Sequence, residues 1–259
     1  RSVSVKIPRG VVTLNGKKLY RIKNLELKEP GEYTLKVEDN GLATEISFTV
    51  MEAEMTPPPE PMLHYDFEDD NWEKNFVSVK DGKLDPLGST PKLEYSEGKI
   101  GRALKFDGSF GLKLGSIEGN THTASMWVKL STPNLGACNS VLFGNRDGGT
   151  RSNENWISTR FIDGRPFLWS NGKGSSKIWL QHGASVAERW ANYTYTVDEN
   201  NNATLYVDGE KITSGKDGVD TPASKIDFYA GGTFWDGDVF YGYLDDVKIY
   251  DYALSDDQV

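Results

Sequence analysis

Apolar and polar residues alternate with a period of two along most of this 259-residue chain. That is the pattern of strands with one buried face. In the first fifty residues it predicts strands over 2–7, 11–14, 19–25, 31–37 and 45–50. Asn15-Gly16 and Asn40-Gly41 predict type I′ hairpin turns, whose two central residues both need positive φ. From residue 62 onward, strands are predicted over 62–67, 103–106, 111–114, 123–130, 140–143, 155–161, 165–169, 190–197, 203–207, 226–230 and 242–250. Asp208-Gly209 marks another hairpin. No segment sustains a helical period; only 184–188 and the tail 254–259 leave room for a helical turn. Between the two runs of strands lies Ala-Glu-Met-Thr-Pro-Pro-Pro-Glu-Pro at 53–61, whose prolines favour polyproline II and forbid sheet pairing. The expected chain is all-β: a small immunoglobulin-like sandwich over 1–52, a proline-rich linker over 53–61, and a two-sheet jelly roll over 62–259.

Charge narrows the class of partner. With 38 acidic against 29 basic residues the net charge is −9, which argues against nucleic acid or an anionic membrane and is compatible with a neutral polymer. No apolar run approaches the ~18–20 residues of a membrane span. The lone Cys138 excludes an internal disulfide and a multi-cysteine metal site. The start at Arg1 reads as a fragment of a longer polypeptide, with any export signal lying elsewhere.

Seven tryptophans all fall between Trp72 and Trp235, and several have amide, guanidinium or acidic neighbours. A flat indole beside fixed polar groups suits a sugar: the ring takes the C–H face and the polar groups read hydroxyls. Three segments carry this combination. Asn145 and Arg146 sit in a glycine-rich stretch that reads as a loop, followed by a strand with Trp156 and Arg160. Trp169 is followed two positions on by Asn171, and Trp179 by Gln181, so strand alternation puts each pair on one face. Trp235 stands in a Gly/Asp-rich turn, where it cannot easily be core. These eight residues (Asn145, Arg146, Arg160, Trp169, Asn171, Trp179, Gln181 and Trp235) are the candidate ligand surface.

Six fragments in order resemble the laminin-G-like branch of the concanavalin A-like lectin/glucanase superfamily: Leu63-His64-Tyr65-Asp66-Phe67-Glu68, 98–108, 123–129, 190–195, Ala203-Thr204-Leu205-Tyr206-Val207-Asp208-Gly209, and 242–250. The layout is similar to galactan-binding family 61 modules at the end of endo-β-1,4-galactanases. The resemblance implies a non-catalytic module of a secreted bacterial glycoside hydrolase, monomeric within a larger multidomain enzyme and holding it on a plant cell-wall polysaccharide such as β-1,4-galactan. It also implies that Trp127 and Trp190, in the family's core strands, are core, and that a structural calcium sits where the first and last strands meet, with Asp66, Glu68, Asp245 and Asp246 as ligands. The superfamily includes adhesion modules and glycosidases as well. Glu68, Asp70 and Glu73 formally fit the acidic motif of its retaining glucanases, but the polar run after the first strand reads as a turn, so no catalytic residue is assigned.

Overall fold

A computed structural model describes residues 3–6, 11–20, 24–27, 29–50, 57–70, 76–80, 83–85, 92–131, 139–148, 155–171, 177–181, 183–216, 223–234 and 238–259. Trp72, Cys138, His182 and Trp235 therefore lie outside the described residues. The chain divides into two compact units, Arg1–Thr56 and Pro57–Val259.

The first unit contains β1 (Val3–Lys6), β2 (Val11–Leu14), β3 (Lys17–Leu19), β4 (Asn24–Leu27), β5 (Gly31–Asp39) and β6 (Leu42–Val50). Strands β3-β2-β5-β6 form an antiparallel sheet, and β1 pairs with β4. Both Asn-Gly turns adopt the expected conformation, with φ of 48° and 77° at Asn15 and Gly16, and 49° and 82° at Asn40 and Gly41. Val12, Leu27, Leu35 and Val50 are buried. Of the linker, residues 57–61 carry no strand, and 53–56 fall outside the described residues.

The second unit holds β7 (Leu63–Tyr65), β8 (Phe76–Lys80), β9 (Lys83–Asp85), β10 (Glu94–Glu97), β11 (Arg102–Asp107), β12 (Phe110–Glu118), β13 (His122–Leu130) and β14 (Asn139–Arg146). It continues with β15 (Trp156–Ile162), β16 (Arg165–Asn171), β17 (Lys177–Gln181), β18 (Ala191–Val197), β19 (Asn202–Val207), β20 (Glu210–Lys216), β21 (Lys225–Ala230) and β22 (Tyr241–Tyr250). Two antiparallel sheets result. One runs β10-β11-β22-β13-β18-β19-β20, with β7 also on β22; the other runs β17-β16-β15-β14-β21-β12-β8-β9. We refer to them as the β22 sheet and the β15 sheet. The described residues form strands and turns and no helix; 187–188 form a turn, and the tail closes one turn through Gln258 N–H to Ser255 O at 2.9 Å.

The core lies between the two sheets. Alternation in β13 sends Ala124, Met126, Val128 and Leu130 inward, where they meet Leu112, Ile157 and Phe228 of the β15 sheet. The same alternation corrects one expectation. Trp127 lies between Met126 and Val128 and Trp190 precedes inward Ala191, so both point away from the core and are only half-buried. The resemblance implies core positions for both, but the β22 sheet leaves its outer face to Lys129, Tyr243 and these indoles.

Backbone closeness fixes some glycines. Gly231 has φ +93°, and a Cβ there would lie 2.7 Å from the Phe106 ring. Gly119 has φ +82° but nothing within 4 Å of a Cβ. Gly119→Ala should therefore cost only backbone strain, about 1–2 kcal/mol, whereas Gly231→Ala adds overpacking of about 1–3 kcal/mol. Denaturant midpoints of the two variants read the difference; equal losses would contradict the packing described.

Candidate functional site

The β15 sheet is apolar on both faces. Its inner face supplies Leu142, Ile157, Phe161, Leu168, Ile226 and Phe228 to the core. On its outer face three cross-strand rows run across β14, β15, β16 and β17. The first aligns Asn145, Trp156 and Asn171; the second Phe143, Ser158, Trp169 and Trp179; the third Ser140, Arg160, Phe167 and Gln181. Strand β21 extends the first row with Asp227 and the second with Tyr229. Directly opposed residues share a face, so all of these emerge on one side.

Aromatic rings dominate that side. Phe143, Trp156, Tyr229 and Leu84 form a second buried cluster, with Trp169 and Phe234 packed against it. Trp156 and Trp169 meet edge-on at 5.0 Å, Phe234 lies edge-on to Tyr229 at 4.8 Å, and Phe167 stacks on Trp179 at 4.6 Å. Toward the sheet edge the cluster opens. Trp169 is half-buried and Trp179 is 49% exposed, with its indole N–H 3.5 Å from Gln181 Oε1.

Beneath the indoles lies a charge. The Arg160 side chain is fully buried, its guanidinium 4.7 Å from the Trp169 ring and 5.4 Å from Trp156. Its Nη1 donates to Asp238 Oδ2 at 2.8 Å, and Thr233 Oγ1 lies 3.5 Å from the same oxygen. A buried guanidinium needs such a counter-ion, and the cation reaches both ring faces. Burial pushes Asp227 upward, but the Ser116 hydroxyl and Lys225 outweigh it and hold its carboxyl below the ordinary aspartate value. Burial, with Asp227 nearby, raises the Tyr229 phenol. The carboxamide oxygens of Asn145, Asn155 and Asn171 are buried without a hydrogen-bond partner, an arrangement that costs about 1–3 kcal/mol per group unless water or a ligand meets it.

Of the eight candidate residues, Asn145, Arg160, Trp169, Asn171, Trp179 and Gln181 come together on this face. Trp235 lies outside the described residues. Three details need correction. Asn145 and Arg146 end a strand rather than sit in a loop. Arg146 pairs with core residue Ile226, so it faces inward and is fully buried. Arg160 is on the right face but sealed beneath the rings, where it positions indoles instead of meeting hydroxyls. Sequence reasoning had not placed Phe143, Phe167, Tyr229 and Phe234 here, nor paired Arg160 with Asp238. The available signal was in β21, where Phe228 and Tyr229 are adjacent and so face both ways.

Of the four acids expected to hold calcium, two meet at one turn and two engage other groups. Glu68 Oε1 accepts Arg102 N–H at 2.9 Å, and Asp245 Oδ2 accepts Ile100 N–H at 2.7 Å, so these two clamp the turn Gly98–Arg102. Burial pushes the Asp245 carboxyl up, against the backbone donors Ile100 and Lys99. Asp66 Oδ1 caps Glu68 N–H at 3.2 Å, while Asp246 pairs with His64 and Lys248, each at 2.7 Å. Among the described residues no group of three or more His, Cys, Asp or Glu is placed to hold a metal. Asp245 Oδ1 is buried without a partner, but Glu68, Asp66 and Asp246 are engaged with N–H groups and cations, so the set does not fit an ion that takes 6–8 oxygens. Glu68, Asp69 and Asp70 are exposed beyond β7 and share no strand face.

Two packed antiparallel sheets of this order define a concanavalin A-like jelly roll. Residues 107–259 match the family model described as the concanavalin A-like lectin/glucanases superfamily. The match spans more than half of the chain, and the chain belongs to that superfamily. Among solved structures it is similar to domain 4 of AbnA, a GH43 extracellular arabinanase from Geobacillus stearothermophilus, in complex with arabinotriose: identity is 23%, coverage 77% of this chain and 96% of that one, and the TM-score 0.60. A more distant similarity is to the CBM40 of Ruminococcus gnavus IT-sialidase bound to alpha2,3 sialyllactose, at 20% identity, 57% and 92% coverage, and a TM-score of 0.45. Comparison with curated protein sequences finds no match.

Asp238→Ala removes the carboxylate that accepts from buried Arg160 Nη1, and should cost about 3–5 kcal/mol in chemical denaturation. The double change Arg160→Met with Asp238→Leu should recover most of that loss. Chelation with EDTA should leave the thermal midpoint of the full chain unchanged; a fall reversed by calcium would restore the metal reading.

Proposed function

We propose that the second unit is a non-catalytic polysaccharide-binding module whose site is the outer face of the β15 sheet, centred on Trp169 and Trp179. The observation that carries this reading is the cross-strand Trp169–Trp179 pair, with ring centroids 5.7 Å apart, flanked by Asn171 on one side and Gln181 on the other. Two tilted indoles side by side suit successive units of a glycan chain, and the neighbouring amides suit its hydroxyls. Asn145 and Asn171 bring acceptor oxygens without partners to the same face. Arg160 and Asp238 hold the indoles from below. Membership of the lectin/glucanase superfamily and the similarity to a domain of an extracellular arabinanase support the assignment.

The finer reading is that the module tethers a secreted bacterial glycoside hydrolase to plant cell wall. β-1,4-galactan is the first ligand to test and arabinan the second, the latter because the arabinanase domain holds arabinotriose. Tethering raises local substrate concentration without adding chemistry. A shallow aromatic site of this kind gives a Kd of about 10–100 µM.

Calorimetric titration of the full chain with oligosaccharides of β-1,4-galactan, arabinan, xylan, β-glucan and mannan tests the proposal. One or two ligands should bind in that range, with no reducing ends released. Trp179→Ala should weaken binding at least tenfold, about 1.4 kcal/mol, while leaving the thermal midpoint nearly unchanged because the ring is half in solvent. Silence across the whole panel would overturn the reading.

A further inference from the structure

The β22 sheet has its own aromatic platform on the side away from the core. Lys129 stands directly opposite Tyr243 in β13–β22, and Val128 stands opposite Ala191, which puts Trp190 next to Lys129. The Trp190 and Tyr243 rings are 6.4 Å apart and inclined at 58°. With Ser96, Glu97 and Gly98 these three line a cavity of about 450 Å³, within the size range of small-molecule sites. One strand position further, Lys99 Nζ sits 4.8 Å over the Trp127 ring.

The wall of the cavity is built, not incidental. Gly98 N–H closes the turn on Gly101 O at 2.8 Å. A Cβ at Gly98 would fall 2.7 Å from both the Arg102 carbonyl and Asp245 Oδ2. Only glycine fits there. Buried Asp245 fixes this turn through Oδ2, while its Oδ1 has no hydrogen-bond partner. Lys129 and Glu97 both line the cavity and make no ion pair among the described residues. Apolar rings inclined to each other, one cationic donor, one anionic acceptor and a hydroxyl are the set that recognises a neutral sugar ring, and the mixed charge disfavours an acidic one.

We propose that this cavity is a second glycan-binding site, independent of the Trp169–Trp179 face, which takes a neutral sugar unit between Trp190 and Tyr243. Trp190 and Tyr243 stack on the sugar, Lys129 donates to its hydroxyls, and Glu97 and Ser96 accept from them. The two sites lie on opposite outer faces with the core between them. A module with both bridges separate polymer chains instead of following one, and its avidity for polymer exceeds that of either site.

The test labels the full chain with 5-fluorotryptophan and assigns the Trp190 and Trp179 ¹⁹F resonances with Trp190→Phe and Trp179→Phe. Titration with β-1,4-galacto-, arabino-, xylo-, gluco- and manno-oligosaccharides should shift the Trp190 resonance saturably, and the shift should persist in Trp179→Ala. Lys129→Ala and Glu97→Gln, both surface changes that keep the fold, should each weaken that response at least fivefold and leave the Trp179 response intact. A Trp190 resonance unmoved by every oligosaccharide, or one whose shift disappears in Trp179→Ala, overturns this site. A response at Trp179 alone overturns the second site and keeps the first; a response at Trp190 alone does the reverse.

Discussion

A strand buried on both faces needs cover on both, and β15 is the strand on which the second unit turns. Its inner residues Ile157 and Phe161 enter the core. Its outer residues Trp156, Ser158 and Arg160 would be left to water if neighbouring elements did not cover them. Trp169 from β16, together with Phe234 and Asp238 beyond β21, supplies that cover. The cover is incomplete toward β17, and the aromatic layer runs out into solvent at Trp179. The candidate site is thus the open margin of a second hydrophobic layer. Burial stabilises its inner part, and the same packing holds its outer rings in place for a ligand.

Arg160 shows how that margin is kept rigid. A cation under two indoles is tolerated because Asp238 compensates it at 2.8 Å. The pair ties the segment after β21 to the middle of the β15 sheet, across 78 positions of chain. Long-range fixation of this kind spares the rings the entropy of ordering on binding, which is where preorganised sites gain affinity.

Much of this was legible in the sequence, and the exceptions share physical causes. The Asn-Gly and Asp-Gly turns were plain because positive φ restricts the residues that fit; Asp208 and Gly209 adopt 54° and 77°. Strands buried on one face, such as β13 and β22, announced themselves by alternation. In the second unit the strands that escaped notice were β8, β9, β10 and β20, three of which are sheet edges and the fourth next to one. Edge strands carry polar, charged sequences such as Glu-Tyr-Ser-Glu in β10, which protect against further pairing and erase the apolar signal. On the site, alternation within one strand correctly linked Trp169 to Asn171. Which strands lie side by side is not written locally, so the row joining Trp169 to Trp179 could be seen only in the sheet. The inward turn of Arg146 follows from its alignment with Ile226 on β14, a strand that also carries a bulge between Ser140 and Leu142. Trp127 and Trp190 differ from what the resemblance implies for a related reason: a strand's place in the family does not say which of its two faces a given residue occupies, and here both indoles take the outer one.

The central claim is that Trp179 lies under a bound glycan chain. Oxidation of the full chain by N-bromosuccinimide, with each tryptophan followed by peptide mass spectrometry, tests it without any substitution. A polysaccharide that binds should slow oxidation of Trp179 severalfold and protect Trp169 with it. Unchanged Trp179 oxidation in the presence of a demonstrably bound polysaccharide would contradict the account.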